Sequence, residues 1–198
     1  MTPLGWTVAA IVGAVALLGF AWLVRWLRSL EAERIEAVAR RRGWRVDGGS
    51  GPSDWRVEGA DGERRWVLGV RSARRGPVTE WTIALEDGPL VVFAAPGAAS
   101  GDAAASGDAA ARWVREVFEV DAPAVAFVEG GPTGWVVAAS DAARARALLA
   151  TEEPALRALR PTLALRGEML RLRLSDEVRD GPTLEALIDL GLRLARAR

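Results

Sequence analysis

The chain has 198 residues and balances 26 basic side chains, all arginine, against 26 acidic ones; it contains no Lys, His, Cys, Tyr, Asn or Gln. Those gaps exclude zinc held by His or Cys, a Ser-His-Asp triad, a cysteine nucleophile, a Ser-Lys dyad, a Walker loop with its lysine and a Schiff base. Charge neutrality speaks against bulk nucleic-acid binding, for which a strongly basic surface is expected.

In chain order, the first element is the uncharged run from Pro3 to Val24, closed by Arg25. As a helix it would extend about 33 Å, enough for the hydrocarbon core of a bilayer. Trp6 at one end and Trp22 and Trp26 at the other sit where indoles prefer the headgroup level. Residues 1–27 are therefore expected to form a transmembrane anchor. A cleavable signal peptide is the rival reading, with Gly19-Phe20-Ala21 as its cleavage site, but Met1 to Trp6 lacks the basic residues that such a segment needs. Arg25, Arg28, Arg34, Arg40 to Arg42 and Arg45 all follow the run, which would put the N-terminus outside and the remainder in the cytoplasm of a bacterial inner membrane. Trp22, Arg25, Trp26 and Arg28 are the candidate lipid contacts. Ala9 and Gly13 form a small-xxx-small pair that would permit weak self-association of two spans.

Residues 28–42 read as a juxtamembrane helix with Leu30, Ile35 and Val38 as its sparse apolar positions and Gly43 as its stop. From Trp44 the period changes to two, and residues 43–95 read as antiparallel hairpins. Asp61-Gly62 is a preferred hairpin pair, and a turn there predicts Val57 opposite Trp66, Trp55 opposite Leu68 and Glu58 opposite Arg65. A second hairpin is expected between Trp81 to Leu85 and Leu90 to Phe93, turning at Asp87-Gly88. Residues 96–111 read as a flexible linker carrying Ser-Gly-Asp-Ala-Ala-Ala in tandem, Ser100 to Ala105 and Ser106 to Ala111.

Residues 112–198 read as an α+β region. A helix through Val120, capped by Asp108, would gather Trp113, Val114, Val117 and Phe118 on one face. Val125 to Val128 and Trp135 to Ala139 are strands, Asp141 or Ser140 caps a helix to Ala150, and Thr151 caps another. Leu163 and Leu165 should pair with Leu172 and Leu170 around Gly167-Glu168, leaving Arg166, Arg171 and Arg173 on a wet face. Gly181-Pro182 opens a last helix striped by Leu184, Leu187, Ile188, Gly191, Leu194 and Ala195. The expected class is α+β: an N-terminal transmembrane helix, then antiparallel hairpins packed with a few helices, with residues 43–198 as one domain.

The pattern Trp135-x-Val137-x-Ala139-x-Asp141-x-x-x-Ala145-Arg146-x-Leu148-Leu149, followed by Thr151, Pro154, Leu156 and Leu159, resembles a widespread class of uncharacterised bacterial membrane-anchored proteins. The likeness spans about Phe127 to Leu174 and the N-terminal run, with Trp135 where that class usually carries Phe. It implies a membrane anchor and a strand, capped helix and paired short strands. It implies no activity.

Three further features have a bland and a functional reading. Trp44, Trp55 and Trp66 recur at equal spacing, as one bulky core residue per strand of a meander would, although exposed indoles would line a groove for a lipid, sugar or peptide. Arg64, Arg65, Arg71, Arg74 and Arg75 crowd the first hairpin and its loop; a solvated loop is the ordinary outcome and anionic headgroups the functional one. Asp47-Gly48-Gly49-Ser50 lacks the hydroxyl residue that an aspartic-protease loop needs after its Asp, so a polar turn is expected.

No catalytic, cofactor-binding or metal-binding residue stands out. The sequence alone favours a non-enzymatic, single-pass protein whose cytoplasmic domain recruits an unidentified protein partner at the membrane. The alternatives are a membrane-tethered hydrolase built on carboxylates and a metal, or a lipid-headgroup-binding module.

Overall fold

A computed structural model describes residues 3–48, 55–73, 76–86, 88–97, 107–121, 124–178 and 180–198. The class is α+β, organised around one large antiparallel sheet. The first element is a continuous helix of 40 residues, α1 (Pro3–Arg42). It stops where glycine was expected to stop it: Gly43 takes φ +70°, and Gly43 and Trp44 donate their N–H groups to Arg40 and Ala39 (3.2 and 2.8 Å). That pair of bonds satisfies carbonyls a helix end otherwise leaves bare.

The expected membrane span is overturned. Among the described residues, no helix is long and apolar enough to cross a membrane. With the span fall the single-pass anchor, the inner-membrane location and the orientation read from the arginines. The membrane-bound recruiter and its tethered-hydrolase and lipid-headgroup alternatives fall with it. The described end of α1 is occupied otherwise. Ile35, Val38 and Ala39 are buried in the core, and Arg41 and Arg42 pair with Glu185 and Asp189.

The strands are β1 (Arg45–Gly48), β2 (Trp55–Asp61), β3 (Arg64–Ala73), β4 (Gly76–Ala84), β5 (Val92–Pro96), β6 (Ala126–Phe127), β7 (Trp135–Ala139), β8 (Thr162–Arg166) and β9 (Met169–Leu174), in the spatial order β1-β2-β3-β4-β9-β8-β5-β7-β6. Between them lie the helices α2 (Gly107–Phe118), α3 (Ala142–Thr151), α4 (Glu153–Leu159) and, last, α5 (Gly181–Ala197). Residues directly opposite across a ladder share a face, so register sorts the side chains. One row runs Val46, Val57, Leu68, Trp81, Leu172, Leu163, Ala94 and Val137 across eight strands. This apolar face meets α5, the end of α1, and Ala145, Leu148, Leu149 and Leu156 of α3 and α4 in the main core.

Register corrects two expectations. The first hairpin pairs Asp61 with Arg64 and Val57 with Leu68, so Gly62-Glu63 forms the turn and Trp66 lies opposite Gly59. Gly62 alone supplies the positive φ, at +65°, the pattern of a turn with glycine at its first central position. The slip of two residues keeps every side chain on its expected face. It also gives the Trp66 indole a glycine to lie over, because a Cβ at residue 59 would run into the ring. The second expected hairpin does not form. β4 pairs with β3 and β9, while β5 pairs with β8 and β7, so the β8–β9 hairpin is inserted between them.

That inserted hairpin has the expected register, Leu163 to Leu172 and Leu165 to Leu170, turning at Gly167 with φ +51°. Asp141 caps α3, accepting from the N–H groups of Ala143 and Arg144 (3.0 and 3.1 Å). Thr151 is the last residue of α3 instead of the next cap, its hydroxyl donating back to the Ala147 carbonyl (3.2 Å), and Glu152 stands at the cap of α4. α2 starts at Gly107, inside the second hexapeptide, with Asp108 in its first turn. The rest of the expected linker, residues 98–106, lies outside the described residues.

Candidate functional site

The described residues cover the second face of the sheet over only part of its width. One row on it crosses all nine strands: Arg45, Glu58, Val67, Thr82, Arg171, Ala164, Phe93, Ala138 and Phe127. Its first half is mostly polar and its last four residues are apolar. α2 packs on that apolar end. Ala110 and Val114 are buried with Phe93, Val125 and Ala138, and Trp113, Phe118 and Phe127 close around them. Phe118 meets Phe93 at 5.1 Å between ring centroids and Trp113 at 5.5 Å, so the end of α2 is held by aromatic contacts.

A groove of about 850 Å³ opens where the cover ends. Val67, Thr82, Ala84, Phe93 and Ala164 line it from the sheet, and Phe118 and Val120 from the end of α2 and the residues after it. The groove exists because Ala84 and Ala164 are short, while Phe118 stands tall beside them. Glu119, with φ +57°, turns the chain after α2 and brings Val120 to the groove.

Arg65, Arg166, Glu168, Met169 and Arg171 complete the lining, three cations and one carboxylate. Arg171 faces Glu80 at 3.6 Å. Arg65 and Arg166 are exposed and make no ion pair or side-chain hydrogen bond among the described residues. Their register explains the placement. Ala84 pairs with Met169 and Met169 with Arg166, one row along from Thr82, Arg171 and Ala164. Arg166 and Arg171 are thus diagonal neighbours on adjacent strands, about 7–8 Å apart at the backbone and within reach of one another's long side chains.

The sequence-level candidates fall elsewhere, except Arg65. Trp22 is exposed on α1, and the side chains of Arg25, Trp26 and Arg28 lie outside the described residues. Arg64 turns away to the main core side, donating to the Ala195 carbonyl in the last turn of α5 (3.3 Å). The side chains of Arg71, Arg74 and Arg75 lie outside the described residues, as do residues 49–54 with Gly49 and Ser50. Asp47 sits in β1 opposite Arg56. Trp66 is buried, and Trp44 and Trp55 pack half-buried against the same core, so the tryptophan spacing marks the core and not the groove. Sequence reading missed the groove itself. Its only local signal is the pair of alanines, Ala84 and Ala164, on strands whose neighbours are bulkier.

The carboxylates drawn below their ordinary range lie on the opposite side of the molecule. Hydrogen bonding from Arg196 lowers Asp61, with distances of 2.9 and 2.5 Å, and hydrogen bonding from Arg42 at 3.1 Å lowers Glu185. Both are structural ties to α5. Among the described residues, no three acidic side chains are grouped to hold a metal ion. No family model and no curated protein matches the sequence. Among solved structures, the crystal structure of the mycobacterial trehalose monomycolate transport factor A, TtfA, is similar at a TM-score of 0.48 and 11% identity, over 84% of this chain and 91% of that one.

Proposed function

We propose that the chain is a non-enzymatic binding module that takes a small, largely apolar ligand into the groove between the end of α2 and strands β3, β4, β9 and β8. The observation that supports this reading is the shape of that face. A concavity of about 850 Å³ falls within the range of small-molecule sites, and apolar side chains dominate its floor with a few polar groups at its mouth. The chemistry of the lining favours holding a ligand over transforming one: Thr82, Glu168 and three arginines offer no nucleophile next to a base.

The test is a titration with a neutral, polarity-sensitive dye excited in the visible range, such as Nile red, against the intact chain and an Ala164→Trp variant. The exposed apolar residues of α1 will also take up dye, so the decisive quantity is the part of the signal that the substitution removes. A saturable, one-to-one component lost in the variant, with the thermal midpoint retained, supports the reading. Identical binding curves for the two proteins would overturn it.

A further inference from the structure

Resting on that reading, we infer that the groove is built for a single-tailed amphiphile with an anionic head, its tail lying against Val67, Ala164 and Phe118 and its head held at the mouth by Arg166 and Arg171. The lining carries three guanidinium groups against one carboxylate, in a chain whose total charge is zero. Glu80 serves one of those cations, Arg171. Arg166 and Arg65 have no partner of their own among the described residues. Four arginines outside the groove pair across elements: Arg41 and Arg42 with Glu185, Arg193 with Glu152, Arg196 with Asp61. Arg34, Arg45, Arg112, Arg144, Arg160 and Arg173 also lack a side-chain partner among the described residues; what sets Arg65 and Arg166 apart is their place in the lining of an apolar trough.

Guanidinium forks match the planar oxygens of a carboxylate and the tetrahedral oxygens of a phosphate. Two of them on diagonal strand positions can hold one such head from two sides. The apolar floor begins directly beside them, because half-buried Ala164 is the cross-strand partner of Arg171. Head and tail sites are therefore contiguous, as a soap-like molecule requires. Arg65 lines the same opening from β3 and adds to the positive field without being needed for the grip.

The experiment displaces Nile red from the intact chain with four twelve-carbon competitors: dodecanoate, dodecyl phosphate, dodecanol and dodecyltrimethylammonium. Each is kept below its micelle-forming concentration. The dye component sensitive to Ala164→Trp is followed throughout. The expected result is that both anions compete at least tenfold more tightly than the alcohol, and the cation more weakly still; the tighter anion identifies the head. Arg166→Met should reduce the preference for the anions to about twofold and leave dodecanol unchanged. Arg173→Met, on the same face outside the groove, should leave the whole series unchanged. Equal competition by all four, with the groove component present, overturns the anionic head while the groove reading stands. Absence of that component removes both.

Discussion

Gly191 of α5 lies beneath the indole of Trp81 so closely that a Cβ at that position would occupy the space of the six-membered ring. The missing side chain lets α5 sit flush on β4, with Trp81 wholly buried between them. Overpacking here has no easy outlet, since interiors are packed as densely as organic crystals. Gly191→Ala should destabilise the fold by about 1–3 kcal/mol, despite the better helix propensity of alanine. In denaturant unfolding, the same substitution placed on Trp81→Phe should cost clearly less.

Thr79 is the second sensitive point. Its hydroxyl is buried, donates to the Asp176 carbonyl at 2.9 Å and accepts from the Val178 N–H at 2.7 Å, tying β4 to the segment that leads into α5. Thr79→Val keeps the volume and strands the Val178 donor. A loss of about 1–3 kcal/mol is expected, while Thr79→Ser, which keeps both bonds, should lose less. Thermal unfolding of the pair decides it.

Acid should loosen the attachment of α5. Asp61 and Glu185 are both held below the ordinary carboxylate range by arginine hydrogen bonds. A carboxylate with a lowered folded pKa contributes stability that is present above its unfolded value and is lost as pH falls through the folded value. The contribution should therefore be constant near neutrality and disappear below about pH 4. Asp61→Asn and Glu185→Gln should each flatten that acid limb in a pH series of denaturant midpoints. Salt should reduce the difference between variant and parent, because these pairs are open to solvent.

Trp113 offers a test of the groove wall. It holds Phe118 and Phe127 by ring contacts of 5.5 and 5.9 Å, in a small core separate from the main one. Trp113→Ala should weaken the packing of α2 and lower dye affinity in the groove several-fold. Amide exchange should accelerate in α2 more than in β3 or β4, because the main core does not include this ring. Uniform acceleration across the sheet would show that the two cores unfold together.

Legibility followed locality. The β8–β9 hairpin could be read because two alternating Leu pairs flank a glycine turn, so the pattern and its partner lie within one short window. The Asp141 cap and the stripe of α5 were readable for the same reason. β4 and β5 were misjoined because Asp87-Gly88 carries a good turn signal, and nothing local says that a later hairpin will come between the two strands. Arg166 and Arg171 could be placed on the wet face from alternation alone. Their conversion into the mouth of a groove depended on α2 covering Phe93 and stopping short of Ala164, a relation between segments far apart in the chain. The long apolar N-terminal run misled in the opposite way, since strong periodic-free hydrophobicity invited a whole cellular setting to be built on one helix.

The strand order has a consequence for how the molecule is made. β1 to β4 form a continuous meander, but the open side of β4 receives its neighbour only when Met169–Leu174 has been synthesised. During translation that side presents free backbone donors and acceptors while β5, α2 and β7 are already emerging. An unpaired edge of this kind recruits stray strands from other chains. The nascent protein therefore passes through a sticky adolescence that ends with the arrival of β9, and prematurely terminated chains should aggregate where the finished one does not.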